Sequence, residues 1–168
     1  MSLRKLMLGA ALGGLLITAQ AQPSLADLVS EAQAEWMLGT WEGTTNDGTL
    51  LTHSFAWELD KKVILMRGKV GDMSYLGIAS IDSATGEPKY VGFDSQGNQS
   101  KGTWADEGGD VALRLDSTGA DGAKRKMAVV FGRATGGGLE MRLHQVDQWG
   151  YLDYPAGLTI KLKKKESK

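Results

Sequence analysis

Two histidines, His53 and His144, are the side chains best suited to acid–base or metal chemistry in this 168-residue chain. Imidazole changes charge near neutral pH without help from its surroundings, so it serves as acid, base or metal ligand. His53 keeps the phase of Leu51, Phe55 and Trp57, which in a strand of period two predicts an inward ring. Such a ring can ligate haem iron, exchange a proton with a bound molecule, or sit in a core bonded to a tyrosine or a carbonyl. His144 shares its phase with Glu140 and Arg142 and is expected on the exposed face. Two histidines on opposite phases make a poor zinc site, so no metal centre is expected.

Around His53 the sequence offers soft and aromatic side chains. Met66, Met73, Met127 and Met141 are candidates for inward rows; thioethers adapt to an apolar guest and equally to a core without one. Tyr75, Tyr90 and Arg67 sit where both phases carry apolar residues, so their facing stays open. The expected ligand lining is His53, Phe55, Trp57, Met66, Tyr75, Tyr90, Trp104, Met127, Phe131 and Met141. DQWGYLDYPAG, residues 147–157, adds Trp149, Tyr151 and Tyr154. These make either an exposed lid or contact patch, or a loop packed over a rim. Enzyme signatures are missing. There is no Gly-x-Ser-x-Gly elbow, and ATGGGLE lacks the Gly-Lys-Ser/Thr of a phosphate loop. Most acids fall in turns, which leaves no paired carboxylates to claim.

The elements that position these residues follow from periodicity. Arg4 and Lys5, the apolar run Leu6 to Ile17, and Ala19-Gln20-Ala21 have the layout of a secretory leader over residues 1–21. The alternative is an uncleaved anchor, for which the apolar run is short against the ~20 residues a bilayer needs. Export predicts a periplasmic or secreted protein with no stable membrane insertion once the leader is gone. With no cysteine, its fold rests on burial and hydrogen bonding alone. The net charge of −1 becomes −3 on cleavage, since the leader carries Arg4 and Lys5 and no acid. Five lysines crowd residues 161–168, so the body is acidic and nucleic acid is not an expected partner. The last residues, 164–168, read as a solvated basic tail.

Ser24 and Asp27 suggest a capped helix within residues 22–37, with Leu25, Leu28, Val29, Ala32 and Trp36 as one apolar stripe. After Leu38 the period becomes two and nine turn signals separate ten strand candidates. Inward sets are Leu51, Phe55, Trp57 and Leu59; Val111, Leu113 and Leu115; Met127, Val129 and Phe131; Leu139, Met141 and Leu143; Leu158, Ile160 and Leu162. Short connections favour antiparallel neighbours, and closure removes unpaired edges. The prediction is an all-β chain: an antiparallel up-and-down barrel of about ten strands over residues 38–163, with the helix capping one end.

A helix leading into LGTWEGT, residues 38–44, resembles the start of calycin barrels, the lipocalin and fatty-acid-binding group. It looks closer still to nitrobindin-related barrels and to exported bacterial barrels of unknown function. The resemblance implies a closed barrel with a small hydrophobic ligand inside. It also implies that Gly39 and Trp41 pack at the closed end under a late-strand arginine, for which Arg142 is the candidate. Nitrobindin-like barrels bind haem and carry a His-x-Glu segment in mid-chain, which this sequence lacks. KGTW at residues 101–104 echoes the opening motif; in both places glycine admits close approach and indole fills the space.

Three functions fit this sequence. One is an exported carrier or sensor of a small apolar or amphipathic molecule, with haem as a special case. Another is a barrel isomerase, cyclase or lyase using His53 with Tyr75 or Tyr90. The third is a structural or interaction module with a filled core. Oligomeric state is left open by the sequence.

Overall fold

The computed structural model describes residues 22–166. The expected leader, residues 1–21, lies outside the described residues. The chain opens with helix α1, Leu25–Glu31, capped by Ser24. The Ser24 hydroxyl accepts from the Asp27 amide, and the Asp27 carboxylate accepts from the Ser24 amide at 2.9 Å. The predicted continuous helix is in fact two pieces. Gln33 takes a left-handed φ of 50°, and a 3-10 turn, Glu35–Met37, follows. That break lets Leu25, Ala34 and Met37 all reach the core from a short segment.

Ten strands follow: β1 Gly39–Thr44, β2 Leu50–Glu58, β3 Val63–Val70, β4 Met73–Ile81, β5 Pro88–Asp94, β6 Gln99–Glu107, β7 Asp110–Thr118, β8 Lys124–Ala134, β9 Gly138–Gln145 and β10 Leu158–Lys164. Each pairs antiparallel with the next, and β10 returns to β1 through Trp41↔Lys164. The sheet is a closed up-and-down barrel, as the alternation predicts. Because connections alternate between the ends, α1 shares its end with the β6–β7 turn. The β3–β4, β5–β6 and β9–β10 connections lie at the other end.

The inward phases also hold. Trp41, Leu51, Phe55, Met66, Leu113, Phe131, Leu139, Ile160 and Leu162 are buried together. Leu59 is the exception: β2 stops at Glu58, and Leu59 heads a reversal of three left-handed residues and is exposed. At the α1 end the Trp41 indole donates to the Met37 carbonyl at 2.7 Å, tying the 3-10 turn to β1. The cation over Trp41 is not Arg142. Lys164 stands there, its Nζ 5.5 Å from the ring centre, and its stem passes so close to Gly39 that a Cβ would meet it at 2.8 Å. Arg142 sits on the outward phase of β9, paired with Asp110 and near Glu140. The basic tail therefore starts later than expected. Lys164 belongs to β10, and the Lys165 amide still donates to the Thr40 carbonyl at 2.8 Å.

Outside the barrel lies a second small core. Ala112, Ala128 and Val130 occupy outward phases of β7 and β8, yet are buried beneath Leu152 of the β9–β10 loop. That loop is neither lid nor rim packing. It folds down the outer wall, stitched by the Val146↔Leu152 bridge and by the Arg114 guanidinium, which donates to the Gly150 carbonyl at 2.6 Å. Its three aromatics, Trp149, Tyr151 and Tyr154, remain exposed.

Candidate functional site

Inside the barrel a layer of rings spans the lumen. His53 meets Phe55 edge-on at 4.3 Å between ring centres, and Phe55 meets Phe131 edge-on at 5.3 Å. His53 stacks on Phe131 at 5.8 Å, Phe131 neighbours Trp104 at 6.4 Å, and Trp104 meets Tyr90 at 6.5 Å. This layer divides the interior into two cavities. One, of about 410 Å³, opens toward the end opposite α1. The other, of about 400 Å³, lies between the ring layer and α1.

The expected lining residues separate between them. His53, Met66, Tyr75, Tyr90, Met127, Phe131 and Met141 line the first cavity, as does Met73. Phe55 and Trp104 line the second. Trp57 is half-buried against the core and lines neither cavity. Arg67 points from the outer wall into solvent, whereas Tyr75 and Tyr90 turn inward. Sequence reasoning missed the mouth of the first cavity, where Asp94, Gln96, Asn98, Ser117 and Arg125 gather. Strand polarity was the signal for it: the β5–β6 and β7–β8 turns share the end away from α1.

Three mid-strand glycines shape the deep wall. A Cβ on Gly68 would fall 2.0 Å from the Tyr75 ring, and one on Gly77 would fall 2.2 Å from the Tyr90 ring. One on Gly92 would fall 2.2 Å from the Tyr90 hydroxyl. Both tyrosines thus lie flat along the wall in a trough that only glycine leaves free. Laid flat, the rings leave the lumen open and carry their hydroxyls to its side. Tyr75 Oη is 2.5 Å from His53 Nδ1, while Nε2 of the same ring is buried without a partner.

Burial dominates the electrostatics here. It pushes the His53 imidazole down to about 3, so the ring is neutral at neutral pH. The Tyr75 and Tyr90 hydroxyls are pushed up by burial, and the nearby Tyr90 adds to the shift of Tyr75. The pair is a neutral hydrogen-bonded couple. As a proton acceptor such an imidazole is weak, because an effective base has its pKa near the working pH.

Haem, the special case raised by an inward His53, does not suit this geometry. An axial ligand must present its free ring nitrogen to the space where iron would sit. Nε2 of His53 is instead shut from solvent beside the Phe55 and Phe131 rings, so these residues do not fit a haem. Among the described residues no group of three or more His, Asp or Glu side chains is arranged for a metal ion.

His144 departs from expectation. It lies on the outward phase, but it is only 2% exposed. Its Nδ1 is 2.8 Å from the Asp153 carbonyl oxygen, and the Tyr154 ring meets it edge-on at 5.0 Å. The β9–β10 loop buries it from outside, so it takes no part in either cavity.

Comparison with known proteins adds nothing to this geometry: no family model matches the chain, and no curated protein is similar to it.

Proposed function

We propose that this protein is a binding barrel, a carrier or sensor, that holds one small, mostly apolar molecule between the His53 layer and the mouth. The observation that carries the proposal is the first cavity itself. Its volume of about 410 Å³ lies within the ~300–1,000 Å³ of ordinary ligand pockets. Its wall is mostly methionine, leucine and aromatic carbon, with His53, Tyr75 and Tyr90 as deep polar groups. The guest that suits this wall is apolar along most of its length. A polar head would meet Arg125, the Gln96 amide and the Ser117 hydroxyl at the mouth, beside an Asp94 carboxylate that the Asn98 amide already occupies. Kinship with calycin barrels, and export directed by residues 1–21, belong to the same proposal and rest on the sequence motifs.

The enzyme alternative finds less support, because a histidine held near 3 and sealed by rings is a poor general base at neutral pH. A fully filled structural core is disfavoured by the two cavities.

Native mass spectrometry of protein recovered from its own host tests the proposal. A one-to-one adduct is expected, and it should vanish in Leu115→Trp, which fills the first cavity from its wall. A bare mass that stays bare when medium-chain alcohols and lipids are offered would sink the carrier reading.

A further inference from the structure

We infer that one flank of the barrel, the outer wall of β4 and β5, docks reversibly on an anionic lipid surface. Leu76 and Ile78 of β4 lie directly opposite Phe93 and Val91 of β5. All four are outward and between 37% and 52% exposed, and they form one contiguous apolar patch. The solvent face of an antiparallel sheet is ordinarily polar, so a block of four apolar side chains there calls for a cover. Cations flank the patch on both sides. Arg67 of β3 stands opposite Leu76, with Lys69 next on the same face, and Lys101 of β6 stands opposite Val91.

Charge identifies the cover. β3 and β4 contain no acid, and the one acid of β5, Asp94, lines the mouth of the first cavity. Arg67, Lys69 and Lys101 are exposed, and none of them pairs with a carboxylate among the described residues. That includes Asp72 in the β3–β4 turn and Asp116, which stands opposite Lys101 on β7. A second copy seated on the same patch would set these cations against their own equivalents. A stable protein interface also needs about 800 Å² per partner, more than four half-exposed side chains supply. The closed sheet offers no edge to an added strand. Shallow apolar insertion with cations on phosphate is what an anionic bilayer surface rewards. Phe93 also borders the first cavity, so docking on this flank sets the mouth beside the lipid. The docking rests on the outer wall alone and holds whether or not that cavity takes a guest.

The chain has no cysteine, so a nitroxide attached to the full chain at Val91→Cys reports this wall alone. The same label at Lys161→Cys, outward on β10 across the barrel, is the control. Each is mixed with vesicles of phosphatidylcholine, either pure or with about one-third phosphatidylglycerol. On the anionic vesicles the Val91 label should gain contact with dissolved oxygen and lose it with a water-soluble nickel chelate. The Lys161 label should stay in water. Neutral vesicles should leave both labels in water, and about 0.5 M salt should release the protein. Arg67→Gln and Lys101→Gln should each weaken binding about fivefold, whereas Lys161→Gln should leave it unchanged. If Val91→Cys does not fold, Ile78→Cys serves the same purpose. A Val91 label that stays in water with anionic vesicles overturns the inference. So does equal insertion of both labels, or binding indifferent to Arg67→Gln and Lys101→Gln. Immobilisation of the Val91 label without vesicles, growing with protein concentration, would put a second copy on the patch and overturn the lipid assignment.

Discussion

His53 and His144 are equally buried, each 2% exposed, on opposite faces of the same sheet. His53 is buried by the barrel closing around it, where the rings of Phe55 and Phe131 exclude water. His144 is buried by a loop folded back over the outer wall, with Asp153 and Tyr154 as its cover. The first environment is assembled from β2, β4 and β8 and needs the whole barrel. The second needs only β7 to β9 and the loop that follows β9. Facing in a sheet is thus a property of the strand, but burial is a property of whatever comes to rest on that face. The two regions should therefore differ in how damage spreads: globally from the inner one, locally from the outer one.

The sharpest way to break the comparison is Phe131→Ala. This ring touches His53, Phe55 and Trp104 at once, so its loss should lower unfolding stability by about 3–5 kcal/mol. Denaturant unfolding measures it, and a loss below about 1 kcal/mol would mean the ring layer does not hold the barrel together.

Acid comes next. His53 is neutral in the folded barrel with its pKa lowered to about 3, against an ordinary value of 6.5. Below pH 6.5 the unfolded chain takes up a proton that the folded one refuses. Stability contributed by this site is complete above 6.5 and declines as pH falls toward 3, by about 1.4 kcal/mol per unit. Asp27, Asp47 and Asp94 are held below the usual carboxylate range by hydrogen bonds from Ser24, Thr45 and Asn98 respectively. For Asp94, burial opposes that lowering as the largest single influence. Their stabilisation is lost only at more acid pH, below about 3.8. Denaturation curves between pH 4.5 and 6.5 should show the slope in the wild type and its loss in His53→Gln. A flat wild-type profile would show that water or a partner reaches His53 in solution.

Gly68→Ala is the third. The added methyl meets the Tyr75 ring, so the ring must leave its trough and give up His53. Overpacking of this kind costs about 1–3 kcal/mol, and near-ultraviolet circular dichroism should lose tyrosine signal. An unchanged spectrum with unchanged stability would mean the trough is not needed.

Leu152→Ala probes the outer region. Its side chain caps Ala112, Ala128 and Val130, so a loss of about 1–2 kcal/mol is expected. Amide exchange should speed up across residues 146–157 while the inner strands keep their protection. Exchange rising equally in β2 and β8 would erase the distinction between the regions. Trp149→Ser should do least, within about 0.5 kcal/mol, because the ring is already in solvent; a larger loss would place it in a contact of its own.

Much of the barrel was legible because its evidence is local. Val129 and Phe131, or Leu139 and Met141, reveal their face by spacing alone, and turn signals mark where each strand reverses. Most of the first cavity was readable for the same reason, His53 and Met127 included. Leu59 was misread because alternation continues past Glu58 on paper, while the backbone there has already turned left-handed. Trp57 kept its inward phase but met no cavity, since phase says nothing about depth along the barrel. Arg142 was matched to Trp41 by residue type, and type cannot reveal that its phase puts it on the other side of the wall.

By itself the sequence determined the period-two pattern, the number and order of strands, and the faces they present, since backbone geometry couples each residue to its neighbours two places away. The tertiary structure alone decided that Lys164 covers Trp41, that a loop seals His144, and that rings from β2, β6 and β8 divide the lumen. Those outcomes depend on register between strands distant in the chain and on the volume left where their side chains meet.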